Sequence, residues 1–171
     1  MIKVRFAPSP TGYLHIGNFR TALVNFLFAR KNNGHFMLRI DDTDQERSLL
    51  EYENAIKEDL SWMNIGWDSI EKQSSRLACY DDALQILLNK KRAYPCFETA
   101  DELSLKRKSQ LSSGKPPIYD RSALKLSDSD IADFKSKGKK PHYRFLLNHI
   151  DVNWNDLIKG NSKYNMSNLS D

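Results

Sequence analysis

The fold is decided by one stretch near the N-terminus, which reads Val4-Arg5-Phe6-Ala7-Pro8-Ser9-Pro10-Thr11-Gly12-Tyr13-Leu14-His15-Ile16-Gly17-Asn18. Residues 4–7 predict a short strand, which ends where two prolines remove backbone donors. A helix is predicted over residues 15–31, because apolar residues recur there at spacings of three and four. Val24 and Phe28 make this helix apolar nearly all round, so we expect it to be buried.

The next fifty residues repeat the alternation of strand and helix. Residues 36–40 form a short apolar run typical of a buried strand. Ser48 and Glu51 have the spacing of a capping box and predict the start of a second helix. Ile65-Gly66-Trp67 ends that helical pattern and predicts the opening of a third strand. Strands that alternate with helices in this way predict an α/β fold with a parallel sheet and crossover helices.

The pattern changes at about residue 74 and predicts a separate, mixed α+β unit over residues 74–171. It contains predicted strands at residues 94–97 and 142–147, a helix opened by the capping-box pair Thr99 and Glu102, a weak helix at 127–137 and a hairpin around Gly160. Only about three parallel strands precede this unit, whereas open parallel sheets usually have more. We therefore expect residues 1–73 to be part of a larger sheet.

Composition excludes several classes of protein. The chain has 171 residues, of which 40% are hydrophobic and 28% charged, so it is expected to fold rather than stay disordered. It has no apolar run of 18 residues and no apolar N-terminal leader, so we expect neither a membrane span nor secretion, but a cytoplasmic protein. Cys79 and Cys96 lie far apart, which suits free thiols in a reducing compartment.

Positive charge is concentrated in one segment. Residues 1–100 carry 13 Lys and Arg against 13 Asp and Glu, whereas residues 101–144 carry 11 against 6. The second segment includes Lys106-Arg107-Lys108. Such a cluster favours a polyanionic partner, since lysine and arginine attract phosphates. For any single lysine, a solvated surface position is the equally open alternative.

The predicted helix N-terminus after the proline loop is a candidate phosphate site. Unpaired N–H groups and the helix dipole attract phosphate there, and His15 would add an imidazole donor. Gly17 lacks a Cβ, so a flat base could approach its backbone. A capped helix with a surface histidine is the structural alternative. The proline-bracketed loop directly before His15 makes the functional interpretation the sharper one.

The motifs together strongly resemble those of bacterial glutamyl-tRNA synthetases, which are class I enzymes. They are Arg5-Phe6-Ala7-Pro8-Ser9-Pro10-Thr11-Gly12, His15-Ile16-Gly17-Asn18 and Leu38-Arg39-Ile40-Asp41-Asp42-Thr43-Asp44. Asn18 stands where the family's HIGH signature has its second histidine. The resemblance continues through Pro117-Ile118-Tyr119-Asp120-Arg121 and Tyr143-Arg144-Phe145. It implies that residues 1–73 are the first half of a Rossmann-type catalytic domain and residues 74–171 an inserted acceptor-stem-binding domain.

The resemblance also implies an activity, the ATP-dependent ligation of L-glutamate to tRNA(Glu) through glutamyl-adenylate. Mg²⁺ would accompany ATP, tRNA(Gln) is a second candidate acceptor, and the enzyme would be a monomer. Three sets of residues are carried over by motif position. They are the catalytic His15, Gly17 and Asn18; the glutamate-binding Arg5, Ala7, Ser9 and Asp41; and the ATP-binding Pro8, Ser9, Pro10, Thr11 and Gly12 with His15 and Gly17.

Two further expectations concern contacts to glutamate and tRNA. Asp41 stands where the family commonly has Glu, and its shorter side chain would reach the substrate ammonium indirectly or through water. The residues expected near tRNA are Asp44, Arg47, Lys106, Arg107 and Lys108.

No zinc is expected, although some members of the family bind it through a CxC pair with a later Tyr and Cys. The matching residues here are Cys96, Glu98, Tyr119 and Ala123, so two of the four ligands are absent. Cys96 is then expected to be a small buried residue.

Three other functions stay open at this stage. They are a paralogue that glutamylates the modified base queuosine in tRNA(Asp), an HxGH-type nucleotidyltransferase that makes a small cofactor, and a non-catalytic tRNA-binding module. Thr11 and Asp42-Thr43-Asp44 favour the ligase over the paralogue. The 171 residues contain no KMSKS-like lysine signature, so we expect an inactive N-terminal fragment that lacks the rest of the catalytic domain and the anticodon-binding domain.

Overall fold

The computed structural model describes residues 1–166 and 169–171, which divide into two compact units, Met1–Asp81 and Asp82–Asp171. The elements of the first unit are β1 (Lys3–Phe6), α1 (Ile16–Lys31), β2 (His35–Ile40), α2 (Leu50–Trp62), β3 (Ser69–Lys72) and a 3₁₀ turn (Gln73–Arg76). Helix α3 (Leu77–Asn89) carries the chain from the first unit into the second.

The first unit is built on a three-stranded parallel sheet in the order β1-β2-β3. One face of the sheet and both crossover helices enclose the core, which contains Phe6, Ala22, Ala29, Phe36, Leu38, Ile40, Ile56, Leu60 and Ile65. Arg5 pairs with Met37 in register, so Arg5, Met37 and Arg39 belong to the opposite face, because alternate residues of a strand point to opposite sides. The expected α/β fold with parallel strands is confirmed.

Helix α1 is less buried than its sequence indicates. Ala22 and Ala29 are its fully buried residues, and both pack in the core. Leu23, Val24 and Leu27 are 37%, 43% and 55% exposed. The prediction of burial all round is therefore wrong for this chain, because only the side that faces the sheet is covered.

Two local predictions in the first unit are also wrong. The third strand lies at Ser69–Lys72, because Ile65 instead closes α2, where its N–H donates to the Leu60 carbonyl and its side chain enters the core. Ser48 does not cap α2, which begins at Leu50 after Leu49 with no side-chain cap. The Ser48 N–H donates to the Asp44 carbonyl, which fixes Ser48 in the preceding turn.

The second unit is a mixture of helices and small antiparallel sheets, as expected. Its elements are β4 (Ala93–Cys96), α4 (Ala100–Ser112), a 3₁₀ turn (Ser122–Lys125), α5 (Asp128–Ser136), β5 (His142–Phe145), β6 (Asp151–Asp156) and β7 (Gly160–Asn165). β4 pairs with β5, and β6 with β7 in the expected hairpin, where Gly160 adopts a φ of 74°. Thr99 and Glu102 form the expected capping box. Within residues 1–166 and 169–171, no helix is long and apolar enough to cross a membrane.

Candidate active site

The loops that follow β1 and β2 are tied to each other at the carboxyl edge of the sheet. The Asp41 N–H donates to the Pro8 carbonyl at 3.0 Å, and the Leu49 N–H donates to the Pro10 carbonyl at 3.0 Å. Pro8 and Pro10 are buried, whereas Ser9 between them is exposed. Two of the residues predicted to bind glutamate, Ser9 and Asp41, are thereby brought to the same edge. In open α/β sheets this edge is where ligands bind.

His15 is the N-cap of α1, and its imidazole has one nitrogen occupied. Nδ1 accepts a hydrogen bond from the Gly17 N–H at 3.1 Å, while the His15 N–H donates to Asn18 Oδ1 at 3.1 Å. Because Nδ1 is the acceptor, the neutral ring carries its proton on Nε2. The exposed histidine therefore caps the helix and still has a donor available for a ligand. Asn18 completes the capping box.

Gly17 leaves room for the ring of His15. A Cβ at this position would lie 2.9 Å from His15 Cε1 and 3.0 Å from Nδ1, closer than non-bonded carbon atoms normally approach. The glycine therefore lets the imidazole fold back over the first turn of α1. This reason differs from the expected approach of a base, and it places Gly17 in the support of His15.

Arg39 forms a bidentate ion pair with Asp41, which the sequence motifs do not predict. Its Nε and Nη2 donate to the two carboxylate oxygens of Asp41 at 2.5 Å and 2.7 Å. The side chains are 23% and 22% exposed. The hydrogen bond to Asp41 raises the pKa of Arg39, which stays charged. Their spacing of two at the end of β2 was a usable signal, since alternate strand residues share a face.

Arg5 has a free guanidinium. It is exposed in β1, and its side chain makes no ion pair or hydrogen bond with any residue that the structure describes. A planar guanidinium of this kind can bind a carboxylate through two parallel hydrogen bonds. Ala7, Thr11 and Gly12 are partly buried in the loop that follows β1.

Asp44 and Arg47, both expected near tRNA, pair with each other. The Arg47 Nε donates to Asp44 Oδ2 at 2.7 Å, and the Arg47 N–H donates to Oδ1 at 3.2 Å. Arg47 holds the pKa of Asp44 below its ordinary value, so the carboxylate is ionised. The Arg47 side chain is 73% exposed and keeps most of its surface open to a partner.

Asp42 belongs to a network of charged side chains close to the carboxyl edge of the sheet. It accepts a hydrogen bond from the Ser74 N–H at 2.9 Å and lies 3.5 Å from Lys72 Nζ. Lys72 also donates to Glu53 Oε2 at 2.7 Å, and Lys57 donates to Glu53 Oε1 at 2.8 Å. The network connects the β2 loop, α2 and the end of β3. Asp42 therefore helps to hold these three elements together.

In the second unit, the three basic residues of α4 differ in their surroundings. Lys106 Nζ donates to Ser122 Oγ at 2.8 Å and lies 3.2 Å from Asp120 Oδ2 and 3.6 Å from Glu98 Oε1. Arg107 and Lys108 are exposed and have no side-chain partner among the described residues. Lys106 thus pairs inside the unit, while its two neighbours are open to solvent.

The position that would hold zinc by resemblance has an incomplete ligand set. Cys96, Glu98 and His142 have donor atoms within 4.8 Å of one another, and Ala123 offers no donor. Tyr119 donates its hydroxyl proton to Glu98 at 2.5 Å, and burial raises its pKa to about 12. A structural zinc site has four ligands, and at the last position of the family's set this chain has Ala123, which supplies none. Cys96 is fully buried, as expected.

Comparison with known proteins identifies the family of this chain. The family model of class I tRNA synthetases (E and Q), catalytic domain, matches residues 1–171. Among curated relatives, glutamate–tRNA ligase 1 of Rickettsia massiliae (strain Mtu5) is 58% identical over 98% of this chain. Glutamate–tRNA ligase 1 of Rickettsia felis (strain ATCC VR-1525 / URRWXCal2) is 55% identical over 99% of it. The chain spans 37% and 38% of the lengths of these relatives.

Solved structures give the same assignment. A glutamate tRNA ligase from Elizabethkingia meningosepticum, determined in complex with its amino acid, matches 99% of this chain with a TM-score of 0.90 and 33% identity. Glutamate-tRNA synthetase from Elizabethkingia anophelis matches with the same score and identity. The chain covers 37% and 38% of these two structures. It belongs to the family of class I tRNA synthetase catalytic domains for E and Q.

Proposed function

We propose that the protein to which this chain belongs ligates L-glutamate to tRNA(Glu) with ATP, through glutamyl-adenylate. The glutamate α-carboxylate attacks the α-phosphate and pyrophosphate leaves; a hydroxyl of the terminal adenosine then takes the glutamyl group, and AMP leaves. The observation that carries the proposal is His15, a helix N-cap whose Nδ1 is occupied and whose Nε2 is left as a donor beside the proline loop. Family membership and the names of the relatives support the same activity.

His15 is proposed to donate from Nε2 to a phosphate oxygen of ATP. Negative charge shifts onto phosphate oxygens as pyrophosphate departs, so a fixed donor stabilises the transition state more than the ground state. Residues 8–12 and Gly17 would surround the nucleotide. Mg²⁺ would neutralise phosphate charge and bind mainly through those phosphates. Catalysis of this kind depends on position and charge, which suits a site built on the end of a helix and two joined loops.

Arg5, Ala7, Ser9 and Asp41 are proposed to bind glutamate. The free guanidinium of Arg5 matches one substrate carboxylate, and the exposed Ser9 hydroxyl is small enough to hydrogen-bond without crowding. Asp41 would accept from the substrate ammonium. One carboxylate and the ammonium group of glutamate would thus each have a partner of opposite charge at this edge.

The second unit, with Asp44 and Arg47 of the first, is proposed to bind tRNA. Arg107 and Lys108 are the strongest candidates, because their charges are open to solvent and lie in the basic segment. Lys106 would contribute by holding α4 to the 3₁₀ turn. The acceptor is tRNA(Glu), with tRNA(Gln) as a second candidate. We further propose residues 1–73 as catalytic and 74–171 as acceptor-binding, in a monomeric cytoplasmic enzyme.

We also propose that the protein folds without zinc. The Tyr119–Glu98 hydrogen bond and the Lys106 contacts would connect the elements that a metal connects in some relatives. Metal analysis of the purified protein should find no stoichiometric zinc, and a chelator should leave its melting temperature unchanged. One zinc per chain would contradict this.

The activity is tested by glutamate-dependent exchange of pyrophosphate into ATP, with the full-length protein and tRNA present. Exchange should require glutamate, and aspartate should not replace it. Mature tRNA(Glu) should then be charged at its terminal adenosine. Glutamylation of queuosine in tRNA(Asp) would favour the paralogue instead, and tRNA binding without any exchange would favour a non-catalytic module.

A further inference from the structure

We propose that Arg39 is a positioning residue that orients the Asp41 carboxylate toward the ammonium group of the amino acid substrate. This inference rests on the proposed function, since it requires that Asp41 face that ammonium.

Asp41 is held through both its backbone and its side chain. Its backbone N–H donates to the Pro8 carbonyl, and both of its oxygens accept from the Arg39 fork at 2.5 Å and 2.7 Å. Two parallel hydrogen bonds from a planar guanidinium fix the plane of the carboxylate as well as its position. An aspartate held in this way loses little conformational freedom when a ligand binds, and such preorganisation favours affinity.

The Arg39–Asp41 pair also affects which cations the site can bind. The two charges balance, so the pair does not attract cations by surplus negative charge. Each carboxylate oxygen has a second lone pair, which the fork leaves available in a fixed direction. Recognition of an ammonium then depends on where its N–H groups point. This favours an α-amino acid seated by its other contacts over an unrelated cation.

A second Arg–Asp pair at the opposite edge of the same sheet provides a matched control. Arg30 Nη1 lies 3.1 Å from both oxygens of Asp68, which also accepts from the Phe36 N–H near the start of β2. Arg30–Asp68 thus stabilises the amino ends of the strands, away from every residue assigned to the substrate. Its loss reports the purely structural effect of removing an arginine pair from this sheet.

The experiment is steady-state ATP–pyrophosphate exchange by the full-length protein, with glutamate and ATP varied separately. The variants are Arg39→Gln, Arg39→Lys, Asp41→Asn, the double variant R39Q/D41N and the control Arg30→Gln. R39Q should raise the KM for glutamate about tenfold or more, with the KM for ATP nearly unchanged. Lysine should not rescue it, because an ammonium cannot form the two-point fork. R30Q should lower the melting temperature without raising the KM for glutamate.

The double variant decides whether Arg39 acts through Asp41. If it does, R39Q/D41N should be no worse than D41N alone. Additive effects, an unchanged KM for glutamate in R39Q, or an equal rise in R30Q would each overturn the inference while the wild-type exchange stands. An absence of glutamate-dependent exchange in the wild type would instead overturn the proposed function, and this inference with it.

Discussion

The Nδ1 atom of His15 accepts a hydrogen bond from the backbone N–H of Gly17 at 3.1 Å, so one ring nitrogen caps α1 while the other carries the proton. Capping and donation to a ligand are thus separate tasks of one side chain. This separation allows substitutions at residue 15 to remove the donor alone or both the donor and the cap.

His15→Asn should keep the cap and lose the donor, because asparagine is among the best N-cap residues but has no Nε2. His15→Ala should lose both. We expect both variants to lower the exchange rate about 10²-fold or more. Only the alanine variant should also be destabilised, by about 1 kcal/mol. Exchange kinetics with thermal unfolding make the comparison, and an asparagine variant with normal turnover would remove His15 from the chemistry.

Gly17→Ala should lower activity with little net change in stability, because the higher helix propensity of alanine offsets the cap that is lost when the ring of His15 moves. Its Cβ would lie 2.9 Å from His15 Cε1 and force the imidazole to move, whereas alanine is the better helix former. We expect a loss of turnover of about tenfold or more, since small displacements of a catalytic group are costly. Gly66→Ala is the control, because a Cβ there meets nothing within 4 Å. Equal activity in the two variants would contradict the prediction.

Much of this arrangement could be predicted from the sequence, and the misses have physical causes. The loop, the start of α1 and the parallel pairing follow from prolines and apolar periodicity, which are local signals. The third strand was misplaced because Ser69–Lys72 has little strand character of its own and is defined by pairing with β2. Ser48 matched a capping box, but its N–H was already used by the Asp44 carbonyl, a contact that spacing does not encode.

In the candidate site too, local sequence signals predict some features, while others depend on contacts that form only in the folded chain. Motif positions predict His15, Arg5 and Asp41 as site residues, but they do not predict the hydrogen bonds that Arg39 donates to Asp41. The role of Gly17 also depended on where the ring of His15 lies, which is a property of the folded loop.

Glu53→Gln should make stability less dependent on pH. Hydrogen bonds from Lys57 and then Lys72 hold the pKa of buried Glu53 below its ordinary value. A lowered folded pKa contributes stability above the ordinary pKa of about 4.3, and that contribution is lost as the pH falls through the folded value. E53Q should therefore melt well below the wild type at pH 7, with the gap narrowing below about pH 4.5.

Melting temperatures of wild type and E53Q at several pH values test this prediction. The exposed Glu58 on the same helix supplies the control variant, E58Q, which should follow the wild type throughout. A gap between E53Q and wild type that stays constant with pH would show that the loss is one of packing and not of charge.

Neutralising Arg107 and Lys108 should weaken tRNA binding and reduce its dependence on salt. Each phosphate contact that is lost should lower the slope of log K against log salt by about one. R107Q/K108Q is compared with Lys90→Gln, an exposed lysine outside the basic segment, in titrations at several salt concentrations. An unchanged slope would leave these residues as solubilising charges.

The two hydrogen bonds that Pro8 and Pro10 accept have a consequence for how such a site can diverge. The loop after β1 is held in shape by N–H donors of the loop after β2. A change in the conformation of one loop therefore affects the other. A substitution that shifts the segment around Asp41 also shifts the segment that precedes His15. A substitution that changes amino-acid preference would then also change the placement of the nucleotide. A new specificity would require compensating replacements in both loops.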